Sequence, residues 1–169
     1  VTEAERRPIY GTNEEWEATR DGKFYYLGQE CPTTNTIGGY PVVDLGRNYT
    51  GFVPPAGDTR ERFVDEIIAA TFLDEIDAPE RPHWRWCLVR HLDGDPKNHS
   101  VANLVVVEDA EETAKRRYYC ALMRPGFLPR RRVNWYIPSP EERRMKKEAL
   151  FTDSSGRPTG PLNTKAKAS

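Results

Sequence analysis

The sequence predicts an α+β protein built on a ββα unit, with a small strand–helix segment before it and long irregular arms at both ends. Three observations carry this prediction. Two short apolar or β-branched runs, 86–92 and 103–107, flank a loop rich in turn residues, and a helical pattern follows at once. Upstream, Val64, Ile67, Ile68, Thr71 and Phe72 form an apolar stripe at helical spacing. The rest of the chain is polar. Hydrophobic residues are 37% of the composition and the mean hydropathy is −0.76, so polar segments outnumber the folded unit.

Taken in order, residues 1–36 read as an irregular N-terminal arm with aromatic anchors at Tyr10, Trp16, Phe24, Tyr25 and Tyr26. The stretch 24–27 fits either a short strand or the anchors of an extended arm. A domain over 37–124 follows. It opens with a strand at 37–43, a turn at 44–46 and a weaker strand at 48–53 that Pro54-Pro55 stops. Asp58 and Glu61 have capping-box spacing and open the helix that carries the apolar stripe. The linker 74–82 is acidic and contains proline. In His83-Trp84-Arg85-Trp86 the alternation matches a strand, with both tryptophans on the core side and Arg85 outside. Stacking on bases or facing a phosphate backbone is the alternative use of these side chains.

The first strand of the ββα unit ends near His91. Asp93-Gly94-Asp95-Pro96 reverses the chain, because Gly frees φ and Pro fixes it. Asn103 opens the second strand, and Asp109 with Glu112 caps a helix running to about Met123, where Pro125-Gly126 ends it. Residues 125–169 form a basic C-terminal extension. In it Arg130, Arg131 and Arg132 sit beside Trp135, a mixture suited to nucleic acid or to an acidic protein surface. A short helix is expected at 141–150, acids first and bases last, and a Gly/Pro/Ser arm after it.

Val89-Arg90-His91-Leu92-Asp93-Gly94-Asp95-Pro96, then Asn98, then Asn103-Leu104, resembles the HNH (His-Me finger) endonuclease pattern of phage and intron-type nucleases. The segment 39–47, GYPVVDLGR, resembles the GYxVSxLGR segment that precedes such units, and 64–73 resembles the intervening helix. The resemblance implies a ββα unit holding one divalent ion, Mg²⁺ or similar, over a scissile phosphate. It implies that His91 activates water and that Asn103 orients the histidine ring. Two departures stand out. Arg90 occupies the position where many members carry a metal ligand, and a guanidinium repels a cation. Glu112 stands where a helical asparagine ligand is usual; it serves either as a metal ligand through oxygen or as the capping-box partner, and capping is favoured.

Charge is uneven along the chain. Residues 1–115 carry 12 Lys/Arg against 22 Asp/Glu, and residues 116–169 carry 13 against 4, which together give the net −1. An acidic body with a basic tail suits an adaptor between differently charged partners or a nucleic-acid binder with a basic arm. An enzyme gripping duplex DNA across its whole face would be more basic overall. Cys31, Cys87 and Cys120 are odd in number and unpatterned, against both a disulfide scaffold and a CxxC zinc site. No apolar run is long enough to span a bilayer.

The damaged metal position, the acidic body, the long arms and a first residue other than Met point to an HNH-like protein without nuclease activity. The expected role is an accessory or structural subunit of a large mitochondrial assembly, such as a respiratory-chain complex or ribosome. Its partners would be other protein subunits and also RNA or DNA, with contacts through Arg90, Arg130, Arg131, Arg132 and Trp135, and no cofactor. Outside mitochondria, an intracellular location is expected. The alternative is an active metal-dependent nicking endonuclease with His91 and Asn103 as its catalytic pair and Mg²⁺ or a similar ion as cofactor.

Overall fold

The computed structural model describes residues 4–32, 36–37, 39–56, 61–122 and 139–150. It is an α+β protein. Strands β1 (Arg7–Pro8), β2 (Trp16–Ala18), β3 (Phe24–Tyr26) and β4 (Gln29–Cys31) form an antiparallel sheet in that order. The N-terminal stretch is therefore not the irregular arm that its composition suggests. Each strand is too short to show an alternating pattern, but pairing fixes the register: Trp16 lies opposite Tyr26 with ring centroids 5.0 Å apart. Ile9, Ala18 and Phe24 enter the core. The sheet is also clamped to the body by charge. Arg7 reaches Asp74 at 2.5 Å and Glu75 at 3.1 Å, and Arg20 reaches Glu75 at 2.8 Å.

Strands β5 (Thr36–Ile37), β6 (Tyr40–Asp44) and β7 (Glu61–Phe63) make a second antiparallel sheet. The expected turn after β6 is present, with the Gly46 N–H donating to Asp44 Oδ1 at 2.8 Å. The expected strand at 48–53 is absent, because that stretch bends instead, with Thr50 N–H donating to Gly11 O. Helix α1 (Val64–Thr71) begins after Phe63, which is extended and supplies no side-chain cap. Glu61, read from sequence as a cap partner, pairs with Asp44 across the sheet, so sheet pairing overrides the capping signature. Asp58 lies outside the described residues. Of the expected stripe, Val64, Ile67, Ile68 and Phe72 are fully buried, while Thr71 is half-buried with its hydroxyl donating to Ile67 O at 2.8 Å.

Trp84–Trp86 is a single 3-10 turn rather than strand, yet both tryptophans are buried and Arg85 is exposed. Strand β8 (Cys87–His91) pairs antiparallel with β9 (Leu104–Glu108), and α2 (Ala110–Leu122) follows, completing the ββα unit. Asp109 caps α2 by accepting from the Glu112 N–H at 3.0 Å. The linker adds a parallel bridge, with Val106 N–H donating to Asp77 O at 2.9 Å. Helix α3 (Pro140–Leu150) matches the expected C-terminal helix. Among the described residues no helix is long and apolar enough to cross a membrane.

Candidate functional site

Strand period decides where His91 points. Cys87 and Val89 of β8 are buried, and two residues on is His91, on the same face, with its side chain only 8% exposed. Arg90 takes the opposite face, 59% exposed, with only a loose 3.9 Å approach to Asp109. The imidazole is therefore directed at the first turn of α1. Its Nε2 lies 3.7 Å from Asp65 Oδ2, too far for a hydrogen bond, and is buried without a hydrogen-bond partner among the described residues.

Asp65 is engaged elsewhere. One terminal nitrogen of Arg116, from α2, donates to both its oxygens at 3.0 and 3.2 Å. The Arg116 guanidinium lies over the rings of Phe63 at 4.0 Å and Tyr40 at 4.4 Å. Burial opposes its charge, but the carboxylates of Asp65 and Glu66 outweigh burial and raise its pKa. The next pair repeats the arrangement. Arg117 donates to both oxygens of Glu66 at 2.7 and 2.9 Å. Burial pushes the Glu66 carboxyl up, against the pull of Arg117 and Arg116. An acidic doublet at the start of α1 is thus matched by a basic doublet on α2, and the seam runs directly beneath His91.

A second histidine closes the other side. His99 is buried, its ring centroid 6.2 Å from that of His91. Burial pushes its pKa down, Asp65 pulls it up and His91 lowers it further. The N-terminal sheet covers it: a Cβ on Gly22, whose φ is +88°, would stand 2.8 Å from the Cβ of His99. The Val101 N–H donates to Arg20 O at 2.8 Å, fastening the same loop.

Asn103 was expected to orient the His91 ring. It lies in the 3-10 turn before β9, and its amide serves the loop instead. Its Nδ2 donates to Asp93 Oδ1 at 2.9 Å and to Asn98 O at 3.1 Å, while its Oδ1 accepts from the Asp93 N–H at 3.0 Å. Its backbone carbonyl accepts from the Leu92 N–H, so it stands beside the strand that carries His91. The Asp93 carboxyl is held down at about 2, first by the Asn98 side chain, then by the Asp95 N–H, then by Asn103. Gly94, at φ +77°, makes the turn.

Glu112 is exposed at the start of α2, where its own N–H is capped by Asp109. Among the described residues no three His, Cys, Asp or Glu side chains converge as a metal-ligating group. Arg130, Arg131, Arg132 and Trp135 lie outside the described residues. The structure thus brings His91, Asp65, His99 and Arg116 together and places Arg90 and Glu112 on the surface. The residue-level reading did not include Asp65, Glu66, Arg116 or Arg117 in the site. An acidic doublet inside an otherwise apolar helix is the signal that could have found them, since charges there require partners.

No protein-family model matches the chain, and no curated protein matches it. The fold resembles that of the HNH homing endonuclease I-HmuI, in a solved structure concerned with DNA binding and cleavage, with a TM-score of 0.47 and 15% identity over 97% of this chain and 81% of that one.

Proposed function

We propose that this chain is an HNH-like protein whose ββα unit no longer hydrolyses phosphodiesters and serves as an accessory binding subunit of a larger assembly. The observation that carries the reading is the direction of His91. A general base must reach a water beside the scissile phosphate, yet the Nε2 of His91 faces Asp65 in a closed seam. The donor set also fits a catalytic divalent ion poorly. Asp65 is committed to Arg116, Glu112 is on the surface, and the residue before His91 is a cation. His91 is then a packing residue that locks β8 to α1.

The supporting features for a binding role are the outward Arg90 and the basic 125–169 extension. The N-terminal stretch is less suited to wrapping a partner than its composition suggests, because Phe24 and Ile9 are spent on the protein's own core.

The test is nicking of supercoiled plasmid by the native chain and by His91→Ala, each with added Mg²⁺ or Mn²⁺. The expected result is no metal-dependent nicking above background by either protein. Nicking that needs the metal and disappears in His91→Ala would overturn the reading.

A further inference from the structure

The seam beside His91 ends in a contact that packing alone leaves costly. The rings of His91 and His99 stand with centroids 6.2 Å apart. His91 Nε2 and His99 Nδ1 are both buried without a hydrogen-bond partner among the described residues. His99 is held there by the turn 19–23 between β2 and β3. The Val101 N–H donates to Arg20 O at 2.8 Å, and Gly22 packs so closely on His99 that it admits no side chain of its own. The turn is closed on itself, with the Gly22 N–H donating to Thr19 O and the Thr19 N–H to Lys23 O, both at 3.0 Å. A backbone hydrogen bond and a close backbone contact thus tie this end of the N-terminal sheet to the loop of the ββα unit.

A neutral imidazole tolerates this place and an imidazolium does not. Neutral His99 can keep its single N–H on Nε2. Charged, it must carry a proton on Nδ1 as well, and that proton meets no acceptor. The surrounding charges offer little help. On α1, Asp65 favours the charged form, but Arg116 of α2 already takes both its oxygens, and Arg117 takes Glu66. On β8, His91 opposes a second positive charge, and in the loop the exposed Asp95 favours one least of all. On the turn, Arg20 is paired with Glu5 and Glu75, Lys23 is exposed, and Asp21 accepts from the Thr19 hydroxyl. Burial is the largest influence, and it lowers the His99 pKa from the ordinary 6.5.

We propose that the 19–23 turn is an acid-released latch: it holds His99 neutral at pH 7, and protonation of His99 lifts the turn from the loop and uncovers the seam beside His91. The sign follows from the lowered pKa. The hold is complete above the ordinary value of about 6.5 and weakens as pH falls through it toward the lower, latched value. The latch does not depend on whether His91 hydrolyses anything.

Amide hydrogen exchange of the full chain, followed by NMR from pH 7 to pH 5, tests the proposal at the Val101 N–H, each rate being divided by the intrinsic rate at that pH. The expected result is a several-fold fall in protection below pH 6.5. The ceiling is about 25-fold, set by the protonation of a free histidine of pKa about 6.5 over that range. The Val106 N–H, which donates to Asp77 O away from the turn, should stay the better protected throughout, as local release requires. In His99→Gln, which cannot titrate, the fall should vanish, and in His83→Gln it should remain. Gly22→Ala, which forces the turn off His99, should lower Val101 protection already at pH 7 and flatten its pH dependence. The proposal is overturned if the native chain shows no fall, if Val101 is as well protected as Val106, or if His99→Gln keeps the fall. It is equally overturned if His83→Gln abolishes the fall, or if Gly22→Ala protects Val101 as the native chain does.

Discussion

Arg116→Ala is expected to lower the free energy of unfolding by about 3–5 kcal/mol, because it strands a buried carboxylate. Asp65 and Arg116 are 3% and 6% exposed at their side chains, so solvent does little to screen the loss. For a chain of this length each kcal/mol shifts Tm by about 2–4 °C, and the expected drop is about 6–20 °C. The double variant Asp65→Leu/Arg116→Met should recover most of it, since removing both charges removes the desolvation cost together with the attraction. Thermal unfolding of the three proteins checks this. A single variant within about 0.5 kcal/mol of the native chain, the range of an ordinary surface substitution, would show that the seam under His91 is not closed.

Phe24→Ala is expected to cost about 3–5 kcal/mol, the usual range for emptying a fully buried phenylalanine site. Phe24 is 0% exposed and shares the main core with Ile67, Phe72 and Leu104. Urea denaturation measures the loss. The same substitution in a free aromatic anchor would cost almost nothing, so the experiment separates a core sheet from an arm.

The ββα unit was legible because its signals are local and agree with one another. Gly94 makes the turn, Asp109 caps the helix, and Leu104 and Val106 alternate with Val105 and Val107 on β9. The stripe of α1 was legible for the same reason. Of residues 7–31 only the strand at Phe24–Tyr26 was legible, as one of two readings; the rest was not, because these strands are two or three residues long and depend on pairing with one another. Asp58 and Glu61 imitate a helix start, but Glu61, Arg62 and Phe63 are extended against β6.

The candidate site was half legible. The motif supplied His91, but the alternation read at Trp84 and Trp86 carries the wrong parity into β8: those residues form a 3-10 turn, and Cys87 and Val89 take the core face together with His91. What that face meets is tertiary. Nothing near Asp65 in sequence says that Arg116, fifty-one residues on, will take both its oxygens. Asn103 lies beside His91's strand as the motif implies, yet its amide is spent on Asp93 and Asn98. A motif fixes which residues are neighbours, and side-chain hydrogen bonds decide what they do.

The closure of His91 is measured most directly by titrating Mn²⁺ into the native chain and following paramagnetic broadening of the histidine ring resonances by NMR. A sealed seam leaves the lines of His91 and His99 sharp at Mn²⁺ concentrations that already broaden signals near exposed surface carboxylates such as Glu111. If the His91 lines are instead the first in the spectrum to vanish, an ion reaches its Nε2, and the non-hydrolysing reading is contradicted at its root.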